Sequence, residues 1–305
     1  MNLAELLQTV RRVEVRTNRF ANDMMVGAYV SRFKGRGMDF EELREYTPGD
    51  DVRDIDWNTT YRHGRVFVKR YREERELALI LALDVSGSSD FGSGQRSKRE
   101  FATEIAATLA FSAARTGDKV GLLLFTDRVE FFLPPRKGRR HILRLIRELI
   151  QFQPTATGTN IPAALGFLNQ VLHRRSILFL LTDFLHSFGA TASVDKTGRD
   201  VVQEIGLTSA RHDLVCVHLN DPRESTLPPA GLLTVEDAEC GELLELDTAR
   251  DSVRRTYARV NAERVEELDR VLRQAGVDTL RLNTNEDFAP TFQRFFETRR
   301  GRRRG

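Results

Sequence analysis

The chain has 305 residues, 40% hydrophobic and 30% charged, a balance that suits a folded globular protein and excludes wholesale disorder. Its longest apolar runs, at residues 77–83 and 177–181, fall far short of the ~20 residues a membrane helix needs. The start of the chain mixes acids and arginines with leucines, so no secretory signal is expected and the cytoplasm is the default location. The formal charge of +3 comes from the end of the chain, where the last seven residues hold five arginines; such a tail can bind anionic lipid or nucleic acid but more often is a solvated end, and no nucleic-acid partner is expected.

Residues 3–29 carry a helical pattern, followed by a stretch dense in charge and glycine. Thr47-Pro48-Gly49-Asp50 suits a type II turn, with Pro second and Gly third. Val66 and Val68 alternate with polar residues and predict a strand. Residues 1–75 therefore form a separate small helical/β element. From residue 77 onward, short apolar runs alternate with helix-period segments, the pattern of an α/β fold with a mostly parallel sheet flanked by helices.

The first buried strand is expected at 77–83. A helix follows at 97–115, marked by Phe101, Ile105, Thr108 and Leu109. A second strand at 119–125 is answered by an antiparallel return at 129–133, and a helix covers 141–151. After the loop PTATGTN comes a helix on Ile161, Leu165, Leu168 and Leu172, with Pro162 in its first turn, where a missing N–H does no harm. Strands follow at 176–182 and 214–219. An insertion over about 222–250 holds a β-hairpin turning at Cys240-Gly241. A long helix places Tyr257, Val260, Leu268, Val271, Leu272 and Ala275 on its apolar face. A strand at 279–282 leads to a helix at 287–296, which closes a domain spanning 76–298; residues 299–305 are a basic tail.

Two cysteines cannot support a disulfide framework, and Cys216, in the run LVCVHL, reads as a buried strand residue. The six histidines form no zinc-ligand spacing. Three distant pieces instead carry chemistry. Asp84-Val85-Ser86-Gly87-Ser88 follows the first strand, Thr159 precedes a helix, and Asp183 follows the strand SILFLLT. Ligands of open α/β sheets bind at the carboxyl ends of strands, near the point where strand order reverses. Asp84, Ser86, Ser88, Thr159 and Asp183 form an all-oxygen set suited to a hard cation, Mg²⁺ or Mn²⁺. Each residue also has a plain reading: Asp84 or Thr159 as a helix cap, the serines as loop hydroxyls.

The DVSGS, TGTNI and LLTD segments resemble the metal-ion-dependent adhesion site of von Willebrand factor type A domains, which are Rossmann-like. The resemblance implies direct ligation by Ser86 and Ser88, with Thr159 direct or through water and Asp84 and Asp183 acting largely through water. An open cation position would then hold an acidic residue of a protein partner. The chain departs from the pattern at Phe184-Leu185-His186, where glycine usually follows the acid, and this alters the rim of the site. The run from FKGRGMDF through REYTPGDDVRDIDW to LDVSGSS is similar to domain-of-unknown-function family 58. That resemblance implies a partnership with a MoxR-type AAA+ ATPase, or with its client, in protein assembly. Many relatives place membrane helices ahead of this signature; the chain shows none, and a soluble member is expected.

A non-enzymatic binding module is thus the leading expectation. The alternative is a metal-dependent phosphotransferase or hydrolase with Asp84 as nucleophile. It lacks the second acid two residues on, where Ser86 stands, and no lysine or arginine can be placed to neutralise a phosphoryl group. Gly35-Arg36-Gly37 lacks the rest of a phosphate-loop motif, so no nucleotide is expected, and Ser86 has no GxSxG elbow. The charged signature at Asp50, Asp51, Arg53, Asp54, Asp56 and Trp57 reads either as an ion-pair network pinning the small element to the core or as a docking surface. Trp57 is expected to be buried.

Overall fold

A computed structural model describes residues 38–73, 78–185, 200–239 and 241–301. The chain divides into two compact units, with the boundary between Glu76 and Leu77. The helical pattern expected at 3–29, and Cys240 at the expected hairpin turn, lie outside the described residues.

In the smaller unit, β1 (Met38–Glu45) pairs antiparallel with β2 (Phe67–Glu73), with a bulge between Phe40 and Glu42. The excursion between them holds a 3-10 turn (Val52–Asp54) and a helix, α1 (Trp57–His63). The expected turn at 47–50 is present: the Asp50 N–H donates to the Thr47 carbonyl at 3.1 Å, and Gly49 takes φ +112°. Three acids of the signature bind locally. Asp50 accepts from Arg44 at 2.5 Å and from the Thr47 N–H at 2.9 Å. Asp51 caps the 3-10 turn through the Arg53 N–H at 2.9 Å. Asp56 caps α1 through the N–H groups of Asn58 and Thr59 at 3.0 and 3.2 Å and faces Lys69 at 3.5 Å. The backbone bonds from Thr47 and Thr59 are what chiefly hold the Asp50 and Asp56 carboxyls below their usual range. Trp57 corrects the sequence reading. It opens α1 directly after its cap and is 65% exposed. Val66 lies just before β2 and is exposed, whereas Val68 is buried.

The larger unit is a six-stranded sheet in the order β10-β7-β6-β3-β4-β5. Its strands are β3 (Ala78–Asp84), β4 (Lys119–Phe125), β5 (Val129–Arg136), β6 (Ile177–Thr182), β7 (Asp213–Asn220) and β10 (Asp278–Asn283). All neighbours run parallel except β4 and β5. Among the described residues, six helices of two or more turns belong to this unit: α2 (Lys98–Arg115), α3 (Arg139–Gln151), α4 (Ile161–Val171), α5 (Val201–Arg211), α7 (Asp251–Gln274) and α8 (Ala289–Gly301). A single turn, α6 (Pro222–Ser225), precedes a separate hairpin of β8 (Leu232–Glu236) and β9 (Leu243–Asp247).

Alternation along the strands divides the core between two faces. Ile80, Ala82, Leu178, Leu180, Leu214 and Cys216 point to one face and pack with Ile161 and Leu165 of α4, Ile205 of α5, and Leu268 and Leu272 of α7. On the other face Phe179 meets Phe292 of α8, and Phe288 of the chain just before α8 meets Phe101 of α2. With both faces covered, the central strands must be apolar throughout, which is why they read as unbroken runs. Helix α5 was not anticipated. Val260 corrects the expected apolar face of α7, being 52% exposed. Helix α8 runs on through Gly301, past the expected start of the tail. Within it Arg299 bonds Asp213 at 2.9 Å and Asp278 at 2.7 Å.

From β3 the chain steps to β4 and β5, then returns to the other side of β3 as β6. Strand order therefore reverses between β3 and β6, and the crevice this opens lies at their carboxyl ends.

Candidate metal centre

Asp84 ends β3, Thr182 ends the neighbouring β6, and Asp183 follows it. Beyond Asp84 the chain turns sharply: Asp84 Oδ1 accepts the Ser86 N–H at 3.0 Å, and residues Gly87–Asp90 form a 3-10 turn. This brings the Ser86 and Ser88 hydroxyls to 3.1 Å. Thr159 arrives on the loop before α4, with Oγ1 at 3.4 Å from Asp84 Oδ2. Thr182 donates its hydroxyl to the same Asp84 oxygen at 2.6 Å. Four of the five expected residues are buried (Asp84, Ser86, Ser88 and Asp183), and Thr159 is partly so.

The capping readings do not account for the hydroxyls. Asn160 caps α4, accepting the Ala163 N–H at 2.9 Å, and Ser86 makes no side-chain cap bond to the 3-10 turn. The residue after Asp183 takes a left-handed conformation, with φ +54° at Phe184. Glycine suits that geometry; a side chain there costs roughly 1–2 kcal/mol. Phe184 is 2% exposed, lies within the core and packs edge-on to His218 at 6.0 Å, so its burial offsets the strain. His186 lies outside the described residues.

Four further side chains stand at this centre that sequence reasoning does not single out: Thr182, Lys98, Glu224 and Glu239. Lys98, in the first turn of α2, is 1% exposed and donates to Asp183 Oδ2 at 2.5 Å and to Glu224 of α6. Glu239, on the β8–β9 turn, accepts from Thr159 Oγ1 at 2.8 Å and from Ser88 Oγ at 3.5 Å. Thr182 lies within the LLTD segment itself; nothing local marks the other three, since a lysine and two glutamates outside apolar runs read as solvated residues.

Burial, and then the neighbouring Asp183 charge, push the Asp84 carboxyl up to about 7. Burial works the same way on Asp183, but the Lys98 ammonium beside it and the Leu185 N–H at 3.1 Å hold its carboxyl below the usual range. Burial also raises Glu224. The centre thus brings together four acidic side chains (Asp84, Asp183, Glu224 and Glu239) and one ammonium, which engages Asp183 and Glu224. No three or more His, Cys, Asp or Glu side chains among the described residues form a metal-holding group. The donor set that converges here is two carboxylates with three hydroxyls, all oxygen, which fits a hard divalent cation such as Mg²⁺.

Comparison with known proteins agrees with the signature. Uncharacterized proteins of Mycobacterium bovis and of Mycobacterium tuberculosis are 28% identical to this chain over 298 residues, covering 97% of it and 90% of each relative. Among solved structures, an aerotolerance-related membrane protein from Bacteroides fragilis aligns at 16% identity over 74% of this chain and 99% of that chain, with a TM-score of 0.49. BatB from Bacteroides thetaiotaomicron aligns at 16% identity over the same shares, with a TM-score of 0.46. Among the described residues no helix is long and apolar enough to cross a membrane. The family described as Protein of unknown function DUF58 matches residues 42–267, about three quarters of the sequence, and the chain belongs to it.

Proposed function

We propose that the chain is a divalent-cation-dependent protein-binding module of von Willebrand factor type A kind, acting in the cytoplasm and not as an enzyme. The observation that carries this reading is the meeting of the Ser86 and Thr159 hydroxyls on the buried Asp84 carboxylate at the β3–β6 crevice, with the Ser88 hydroxyl 3.1 Å from that of Ser86. Hydroxyl donors leave a bound Mg²⁺ or Mn²⁺ strongly electrophilic, and the ion would supply a point of attachment for a partner's Asp or Glu. In this reading Ser86, Ser88 and Thr159 hold the cation, and Asp84 and Asp183 anchor it from behind. For the partner, the resemblance described above suggests a MoxR-type AAA+ ATPase or its client, so that nucleotide hydrolysis belongs to the partner.

The hydrolase alternative gains less from the geometry. Lys98 is the cation that the sequence left unplaced, but Asp183 and Glu224 already engage it and almost none of it reaches solvent. A phosphoryl group would compete with two carboxylates for it. Calorimetric titration of the EDTA-stripped chain with Mg²⁺ and Mn²⁺ tests the proposal. About one ion should bind, with binding lost in Asp84→Ala and Ser86→Ala. Binding unchanged in both variants removes the assignment, and Mg²⁺-dependent phosphatase turnover abolished by Asp84→Ala replaces it with the alternative.

A further inference from the structure

The β8–β9 turn closes over the candidate centre. Asp237 shapes it, donating its N–H to the Glu242 carbonyl at 2.8 Å and accepting the Glu239 N–H on its side chain at 2.8 Å. Thr157 donates its hydroxyl to the Glu239 carbonyl at 3.2 Å. Gly87 lies so close beneath the turn that a methyl group built on it would collide with the Ala238 carbonyl. Together these contacts aim Glu239 at the same hydroxyls that would hold the cation.

With the Asp84 carboxyl ionised, proton counting leaves this arrangement incomplete on its own. The Thr159 hydroxyl has one proton but faces two carboxylates, Glu239 at 2.8 Å and Asp84 at 3.4 Å. Ser88 also has one proton, yet it faces the Ser86 hydroxyl at 3.1 Å, the Asp183 carboxylate and Glu239. Oxygen lone pairs are therefore left facing one another. Glu239 also adds a fourth carboxyl group to a cluster with one ammonium. A divalent cation among these atoms would resolve both conflicts, because it binds hydroxyl and carboxylate lone pairs together.

We infer that Glu239 is a tethered carboxylate ligand of the cation site, and that an acidic side chain of a protein partner binds by displacing it. The inference rests on the cation-site reading above and adds the occupant of its partner-facing position. That position is filled from within the chain, so partner binding is coupled to withdrawal of the β8–β9 turn.

The test compares the EDTA-stripped full chain with its Glu239→Ala, Glu239→Gln and Ser86→Ala variants, each titrated with Mn²⁺ alone. Calorimetry reads affinity, and water-proton relaxation reads the water bound directly to the ion; sodium acetate is then added as a carboxylate probe. Wild type should bind Mn²⁺ and Ser86→Ala should not. Glu239→Ala should bind about tenfold more weakly, a loss of ~1.4 kcal/mol. Its relaxation per bound ion should be higher, because water takes the vacated position, and acetate should lower that relaxation in this variant and not in wild type. Glu239→Gln, which keeps an acceptor for Thr159, should fall between and guards against a collapsed turn. If Glu239→Ala matches wild type in affinity and relaxation while Ser86→Ala stays negative, Glu239 is not a ligand and the cation site stands. If no Ser86-dependent Mn²⁺ binding occurs in any chain, the cation site fails and this inference fails with it.

Discussion

Replacing Lys98 by methionine retains a long apolar stem and deletes the charge. Its side chain is 1% exposed and bonds Asp183 and Glu224, whose side chains are 5% and 13% exposed. The substitution strands two buried carboxylates at once, and breaking a buried pair in this way costs about 3–5 kcal/mol. In a unit of this size that corresponds to a fall in Tm of roughly 10 °C. Thermal unfolding should be followed by far-UV circular dichroism in EDTA, so that no cation can stand in for the ammonium. Adding Glu224→Gln should then recover part of the loss, since one stranded carboxylate is gone; a coupling of about 1–3 kcal/mol is expected for such neighbours. A Lys98→Met chain within about 1 kcal/mol of wild type would refute the reasoning, because the ammonium would not then be what holds the two acids in place.

Two further outcomes follow from buried charges elsewhere. Arg299→Ala should destabilise by about 3 kcal/mol in urea unfolding, because it strands Asp213 and Asp278, which Arg299 pins beneath α8; a change under about 0.5 kcal/mol would return Arg299 to a solvated tail. Burial pushes the His218 imidazole down to about 4 from its ordinary 6.5. Between those values the unfolded chain binds the proton and the folded chain does not, so stability is lost as pH falls through this window. Going from pH 7 to 4.5, wild type should lose about 2 kcal/mol more than His218→Phe in urea unfolding; parallel losses would show that His218 is not a source of the acid sensitivity.

The sheet was legible because β3, β4, β6 and β7 are buried on both faces and so appear as unbroken apolar runs ended by polar residues. The convergence of the five candidate residues was legible for a related reason, since each sits where such a run ends or a helix begins. Helix α5 escaped notice because, of its buried residues, only Ile205 is apolar, with Glu204 and Thr208 buried beside it, so the helical period carries little contrast. Lys98 and Glu239 were hidden more deeply. The burial of Lys98 is made by Asp183, 85 positions away, and by Glu224, 126 away; its own neighbours in sequence give no sign of either. Glu239 lies in a polar turn that reads as solvent-facing, and only the fold brings it within reach of Thr159, 80 positions earlier. Trp57 failed for the opposite reason, because residue type suggested burial while its place at the start of a capped seven-residue helix left it outside.

That placement of Trp57 has a practical use. It is the only tryptophan in the sequence, and it belongs to the smaller unit, so excitation near the red edge of protein absorbance lights a single fluorophore beside Asp56 and the other acids of the signature. The indole already meets solvent, so its emission starts red-shifted and open to collisional quenchers. Any protein that covers the signature would shift the emission to the blue and shield it from acrylamide. The chain thus carries its own optical label beside the signature, and a tryptophan-free protein can be titrated against it without chemical modification.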